Sequence, residues 1–219
     1  MSELITVETV DVDGALRQAE EAVSGDTRAD LFRKAALGGG SLLAGGVLLG
    51  GLPELAEARK SKKQDLKILN YALTLEYLEA EFYTQAVAKG ALSGVSLQFA
   101  TTVRDHEVAH VQFLQKVLGR KAVKKPTFDF KDTVTDQGKF QQTAIVLEDT
   151  GVAAYQGQAH RIKQTAVLKA AASVLPVEAR HAAWIRNIVG QPPAPLAFEK
   201  AASMSKVLKA VKDTGFITG

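Results

Sequence analysis

The chain has 219 residues, no cysteine and 46% hydrophobic residues, enough for one domain of ordinary size with a true core. Disulfides and thiolate metal sites are excluded, so any metal would rest on histidine and carboxylate, donors that suit iron or manganese better than structural zinc. Charge is uneven: residues 1–58 hold 4 of the 27 basic and 10 of the 24 acidic residues, net −6, which leaves 23 and 14 in residues 59–219, net +9.

Residues 1–58 read as a leader. An 18-residue stretch without charge, 35–52, holds seven of the 18 glycines and would make a poor helix in water. Arg28, Arg33 and Lys34 precede it and Ala56-Glu57-Ala58 follows, the three-part layout of a secretory signal, with the mature chain starting near Arg59. Thr27 to Lys34 resembles a twin-arginine export signal, although Ala29 stands where the second arginine belongs, and Asp13 to Val23 could form a short amphipathic helix. Export to the periplasm or cell envelope is the expectation; a retained membrane anchor and a cytoplasmic extension are the alternatives. Basic clusters at Arg59–Lys63 and Lys116–Lys125 are read first as solvated segments, with nucleic-acid or membrane binding the less frequent role.

Four long helical segments follow. The first runs from about Gln64 to Lys89 and turns at Gly90 to Gly94. The second runs from about Val95 to Leu118 and stops at Gly119. A connection of about 20 residues leads to the third, Lys139 to Arg161, and the fourth spans Thr165 to Val189, with Pro176 expected to kink it. Thr127 to Phe130 alternates like a strand but is too short to carry a sheet. A last helix, Ser205 to Lys212, should pack outside the bundle. Short turns make helices one and two, and three and four, antiparallel neighbours. The longer connection can cross the length of the bundle. The fold expected is an all-α four-helix bundle over residues 64–190, within a domain spanning 59–219.

Chemistry enters with a pattern written twice. Glu76 is followed seven residues later by Tyr83, and Glu107-x-x-His110 lies 31 residues beyond Glu76. Glu148 is likewise followed by Tyr155, and Glu178-x-x-His181 lies 30 residues beyond Glu148. With four His and 13 Glu, two chance Glu-x-x-His pairs have a probability of about 2%. Glu76 and Glu107 are equally far from the turn between Ala91 and Leu92, and Glu148 and Glu178 from Lys163, so each pair should meet at one height. The 3/4 spacing places Glu76 and Tyr83, Glu107 and His110, Glu148 and Tyr155, and Glu178 and His181 on otherwise apolar inward stripes, one of which is Val103, Glu107, His110, Leu114 and Val117. Four bare carboxylates at one level of a core would cost many kcal/mol, and two cations would offset that cost. Glu79 competes with Glu76 as the first-helix ligand, and the other reading for Glu79 and Glu81 is a solvated or interfacial face. His106 points about 100° from Glu107 and suits a surface or inter-helix hydrogen bond. His160 lies near a helix end, where a cation is welcome.

These motifs, over residues 64–190, resemble the ferritin-like superfamily of di-iron and di-manganese carboxylate proteins. The surrounding wording, LNYALTLEYLEAEFY, DHEVAHVQFL, EDTGVAAYQG and VEARHAAWIR, is similar to its bacterial and plant desiccation-related subgroup. The resemblance implies terminal ligands at Glu76 and Glu148, bridging ligands at Glu107 and Glu178, one metal on each of His110 and His181, and hydrogen-bond donors to the carboxylates at Tyr83 and Tyr155. It further implies two iron or manganese ions reacting with dioxygen or peroxide, as in a ferroxidase- or catalase-like oxidoreductase. The alternative is a non-enzymatic exported stress protein whose site is structural or buffers metal. A DNA-protecting mini-ferritin has only the net +9 in its favour, and such proteins lack a tandem Glu-x-x-His within one chain. No nucleic-acid partner is expected, and a homodimer is left open.

Overall fold

The computed structural model describes residues 53–218, with side chains from residue 62. Residues 1–52 of the expected leader, with the charge-free stretch at 35–52 and the segment at 13–23, lie outside the described residues. Among those described, five α-helices form the fold: α1 (Pro53–Lys89), α2 (Gly94–Leu118), α3 (Gln137–Ala159), α4 (Thr165–Ile188) and α5 (Met204–Thr214). None is long and apolar enough to cross a membrane.

α1 begins at Pro53 rather than near Gln64. Proline suits a first helical position because its fixed φ is already helical and its missing N–H would be unpaired there anyway. The following ELAEARKSKKQDL is dense in strong helix formers. The expected leader boundary at residues 58 and 59 therefore falls inside this helix. Elsewhere the ends follow local chemistry. Asp136 caps α3 by accepting the Lys139 N–H at 2.8 Å. The start of α4 is capped from α1, where fully buried Asp65 accepts the N–H groups of Lys163 and Gln164 at 2.9 and 2.8 Å. α4 continues through Pro176 without a break.

The connection between α2 and α3 is a crossover along α1. The Val123 N–H bonds Asn70, Lys125 pairs with Glu81, Phe130 packs on Phe82, and the Ser93 N–H reaches Gln137 at 2.8 Å. Contacts thus climb α1 from residue 70 to the turn after residue 89, so α3 starts beside the α1–α2 turn and runs antiparallel to α1. Phe82, Tyr83, Phe99, Phe130 and Phe140 form a buried aromatic cluster on one side of the carboxylates, with Trp184 edge-on to Phe99 at 5.3 Å. The short alternating segment makes one antiparallel bridge, Phe128 with Ile217, tying the crossover to the C-terminal tail.

One expected inward position turns out. Val117 is half-exposed while Leu114 and Leu118 are buried, because the stripe on α2 steps by four residues at its end rather than three.

Candidate metal centre

Each helix of the bundle delivers one carboxylate to the same level. Glu76 from α1, Glu107 from α2, Glu148 from α3 and Glu178 from α4 are all at most 1% exposed. They fall into two overlapping groups. One atom from each of Glu76, Glu107, His110 and Glu178 lies within 4.8 Å of the others, and the same holds for Glu107, Glu148, Glu178 and His181. Glu107 and Glu178 belong to both.

The α1–α3 antiparallel pairing explains the tyrosines. Tyr83 donates to Glu148 Oε1 on α3, and Tyr155 donates to Glu76 Oε1 on α1. Each tyrosine therefore holds the carboxylate of the opposite hairpin, fixing one oxygen and leaving the other to face inward. Arg186 forks onto Asp149, one bond at 2.6 Å, and locks α4 to α3 beside Glu148.

Both imidazoles turn Nδ1 inward. His110 Nδ1 lies 3.2 Å from Glu76, 3.1 Å from Glu107 and 3.2 Å from Glu178. His181 Nδ1 lies 3.1 Å from Glu107 Oε1 and 3.2 Å from Glu148 Oε2. These last contacts are near in distance but misaligned for hydrogen bonding: His181 Nδ1, Glu107 Oε1, Glu148 Oε2 and both oxygens of Glu178 are buried without a hydrogen-bond partner. Donor atoms crowded together yet not aimed at one another fit a cation between them, and the hard oxygen and imidazole set fits a transition metal.

The electrostatics give the same reading. Burial and the charges of Glu107 and Glu178 drive the Glu76 carboxyl well above its usual range, and burial with Glu107 lifts Glu178 to about 8. Burial raises Glu148 as well. Burial acts likewise on Glu107, but the hydrogen bond with His110 and the close His181 imidazole outweigh it and hold Glu107 at about 2. Against the desolvation that would neutralise them, the carboxylates pull His110 up to about 12 and His181 up to about 10. Protons occupy the cluster where no cation does.

Two residues extend the expected set. Glu79 is 3% exposed rather than on a solvated face. α1 is covered by α2, α3 and the crossover, so from residue 75 to 80 even its off-stripe positions are inside. The Glu79 carboxylate lies over Gly151, where an added Cβ would stand 3.3 Å from Glu79 Oε1 and 3.4 Å from Glu178 Oε2. Burial, then the charge of Glu178, keeps Glu79 well above its normal pKa. It adds a fifth buried carboxylate beside the two groups without belonging to either. Glu81 is partly exposed and pairs with Lys125. His106 makes an inter-helix contact: its Nδ1 lies 2.9 Å from His181 Nε2, and the rings stack at 5.1 Å. Burial and His181 depress its pKa, which keeps a lone pair available to accept from His181. His160 is exposed at the end of α3.

A family model described as a ferritin-like domain matches residues 64–191, a span that contains every residue of this cluster. No curated protein matches the chain.

Proposed function

The chain belongs to the ferritin-like domain family, and from that premise we propose that its buried cluster is a dinuclear centre for iron or manganese that reacts with dioxygen or peroxide. The carrying observation is the overlap of the two donor groups at Glu107 and Glu178. A carboxylate common to both has one oxygen for each ion, so these two residues would bridge, Glu76 and Glu148 would be terminal ligands, and His110 and His181 would each complete one position. Four carboxylates bring −4, which balances two divalent ions. Such ions supply redox equivalents and Lewis acidity when bound.

The protein's own part is positioning and exclusion of water. Tyr83 and Tyr155 hold the terminal carboxylates by one oxygen each. His106 orients the His181 ring. A largely apolar cavity of about 30 Å³, walled by Leu75, Leu114 and Val174, lies against Tyr155. That space suits one or two small apolar molecules, which supports dioxygen over a strongly hydrated substrate.

Anaerobic loading of the full chain with Fe(II) or Mn(II), then ion counting, tests the centre. Two ions per chain, and a change in the visible spectrum when air or peroxide is admitted, are expected. Failure to bind either metal sinks the proposal. One observation favours the second reading, a structural or metal-buffering site in an exported stress protein: all four carboxylates are essentially sealed from solvent. Metal-dependent stability without any turnover of Fe(II), dioxygen or peroxide would decide for it. The N-terminal sequence of the native protein tests export: an intact Met1 on cytoplasmic protein rules it out.

A further inference from the structure

Outside the carboxylate cluster, at the far end of the bundle, a second and chemically opposite site lies where α1, the end of α3 and the start of α5 meet. A pocket of about 570 Å³ there is lined by Lys63 and Lys67 of α1 and by Arg161, just past α3. Among the described residues no acidic side chain lines it, and none of the three cations forms an ion pair. The first turn of α5 supplies Ser203 and Ser205 to its rim. Ser203 caps the helix through the Lys206 N–H, and the N–H groups of Met204 and Ser205 precede any carbonyl of the helix that could take them. An 11-residue helix thus turns the positive end of its dipole toward three cations.

The placement of that helix is built rather than incidental. The tail crosses α3 at Gly157, where an added Cβ would stand 1.8 Å from Ala202 O, and the Ala202 N–H bonds Ala153 O at 3.0 Å. Only glycine lets the backbone come so near, and it comes near directly before Ser203.

A third, independent feature points to an occupant. Gln158, on the pocket wall, is 2% exposed, and neither its amide nitrogen nor its amide oxygen has a hydrogen-bond partner. A buried primary amide with nothing to bond is costly. On its other side lies the largely apolar cavity described above, where the Tyr71 hydroxyl is likewise buried without a hydrogen-bond partner.

We propose that this pocket binds a phosphate-bearing small molecule, with the anionic group between Lys63, Lys67, Arg161 and the α5 N-terminus, and the Gln158 amide donating to it. Ile68, Met204 and Leu208 give the pocket an apolar edge for the organic portion. The shared chemistry is a phosphate ester, and it has two sources, a free metabolite or a lipid headgroup.

The test is calorimetric titration of inorganic phosphate into the full chain, metal-free and metal-loaded. One saturable site per chain is expected in both, with affinity about 10-fold lower in Arg161→Gln and in Lys63→Gln/Lys67→Gln, a change of about 1.4 kcal/mol. Phosphate held on a metal ion would be indifferent to these variants. Gln158→Leu should weaken binding by a similar factor while leaving the ligand-free melting temperature unchanged or higher. No saturation by about 10 mM phosphate, where Kd in the millimolar range would already show, overturns the proposal. So does weakening in the Lys and Arg variants with Gln158→Leu binding normally, which describes a diffuse basic surface. Co-sedimentation with phosphatidylglycerol vesicles, absent with phosphatidylcholine and relieved by phosphate, identifies a lipid source; phosphate binding without sedimentation identifies a free ester.

Discussion

Replacing Glu107 by glutamine keeps the side-chain shape and removes a charge that lies 3.1 Å from each imidazole and belongs to both donor groups. In the parent protein, an ion supplied at about 100 times its Kd stabilises the fold by about 2.7 kcal/mol, so two ions give about 5.4 kcal/mol. For a domain of this size each kcal/mol moves Tm by about 2–4 °C, and metal should raise Tm by about 11–22 °C. Even an outer partner of a ligand is worth about 10–100-fold in affinity, so loss of a shared ligand should weaken each position by at least about 100-fold. At the same metal concentration the gain then falls to about 0.4 kcal/mol per ion, a total Tm shift of about 2–3 °C. Scanning calorimetry of both proteins with and without Mn(II), paired with ion counting, measures this directly. The reasoning is refuted by a glutamine variant that keeps two ions and the parent's shift.

Three further outcomes follow from the same geometry. In the metal-free protein Glu178 and His181 are raised from 4.5 and 6.5 to about 8 and about 10, so both bind protons more tightly folded than unfolded. Their stabilisation is complete below those unfolded values and is lost as pH rises through about 8 and then about 10; metal-free Tm should fall from pH 7 to 10, and Mn(II) binding at pH 7 should release protons, countable in buffers of different ionisation enthalpy. His106→Ala frees His181 Nε2 from its partner and should lower metal affinity about 10–100-fold with little change in metal-free stability; unaltered affinity would show that the contact orients nothing. Gly157→Ala forces Ala202 O away from a Cβ placed at 1.8 Å and should cost about 1–3 kcal/mol in urea unfolding while metal content stays constant; an unmoved midpoint would contradict the close crossing.

What the sequence conveys here depends on period and symmetry. The i, i+3 step of Glu-x-x-His and the equal distances from each turn act along one helix or one hairpin, and they bring Glu76 level with Glu107 and His110, and Glu148 level with Glu178 and His181, without tertiary information. The bundle and its crossover follow from turn length. What is not legible depends on partners far away in the chain. The crossed hydrogen bonds, Tyr83 to Glu148 and Tyr155 to Glu76, span 65 and 79 residues and exist only once α1 and α3 are paired. His106 finds His181 75 residues on. Glu79 escapes a stripe argument because that argument assumes a wet face, and α1 has none at that level. The Gly157–Ala202 crossing leaves no periodic trace, since a glycine within a helix signals a close approach without saying to what.

The duplicated pattern invites a symmetric picture of the centre, and the residues that lack a counterpart argue against one. Positions three after Glu76 and three after Glu148 are Glu79 and Gly151, and the Glu79 carboxylate lies over the space that glycine leaves. Positions one before Glu107 and one before Glu178 are His106 and Val177, and only the histidine has a ring nitrogen to offer. Both additions fall on the same half: Glu79 lies beside Glu178 and next to Glu148's helix turn, and His106 backs His181. That half is also the drier, with the His181 side chain 3% exposed against 13% for His110. Two donor groups of like composition therefore sit in unlike surroundings, one braced by an extra imidazole and an extra acid, the other nearer solvent. A shared backbone pattern sets where the ligands stand. The unmatched residues bear on how firmly each is held and how readily each is reached, so the two donor groups should differ in metal affinity and in access even though the motif is repeated.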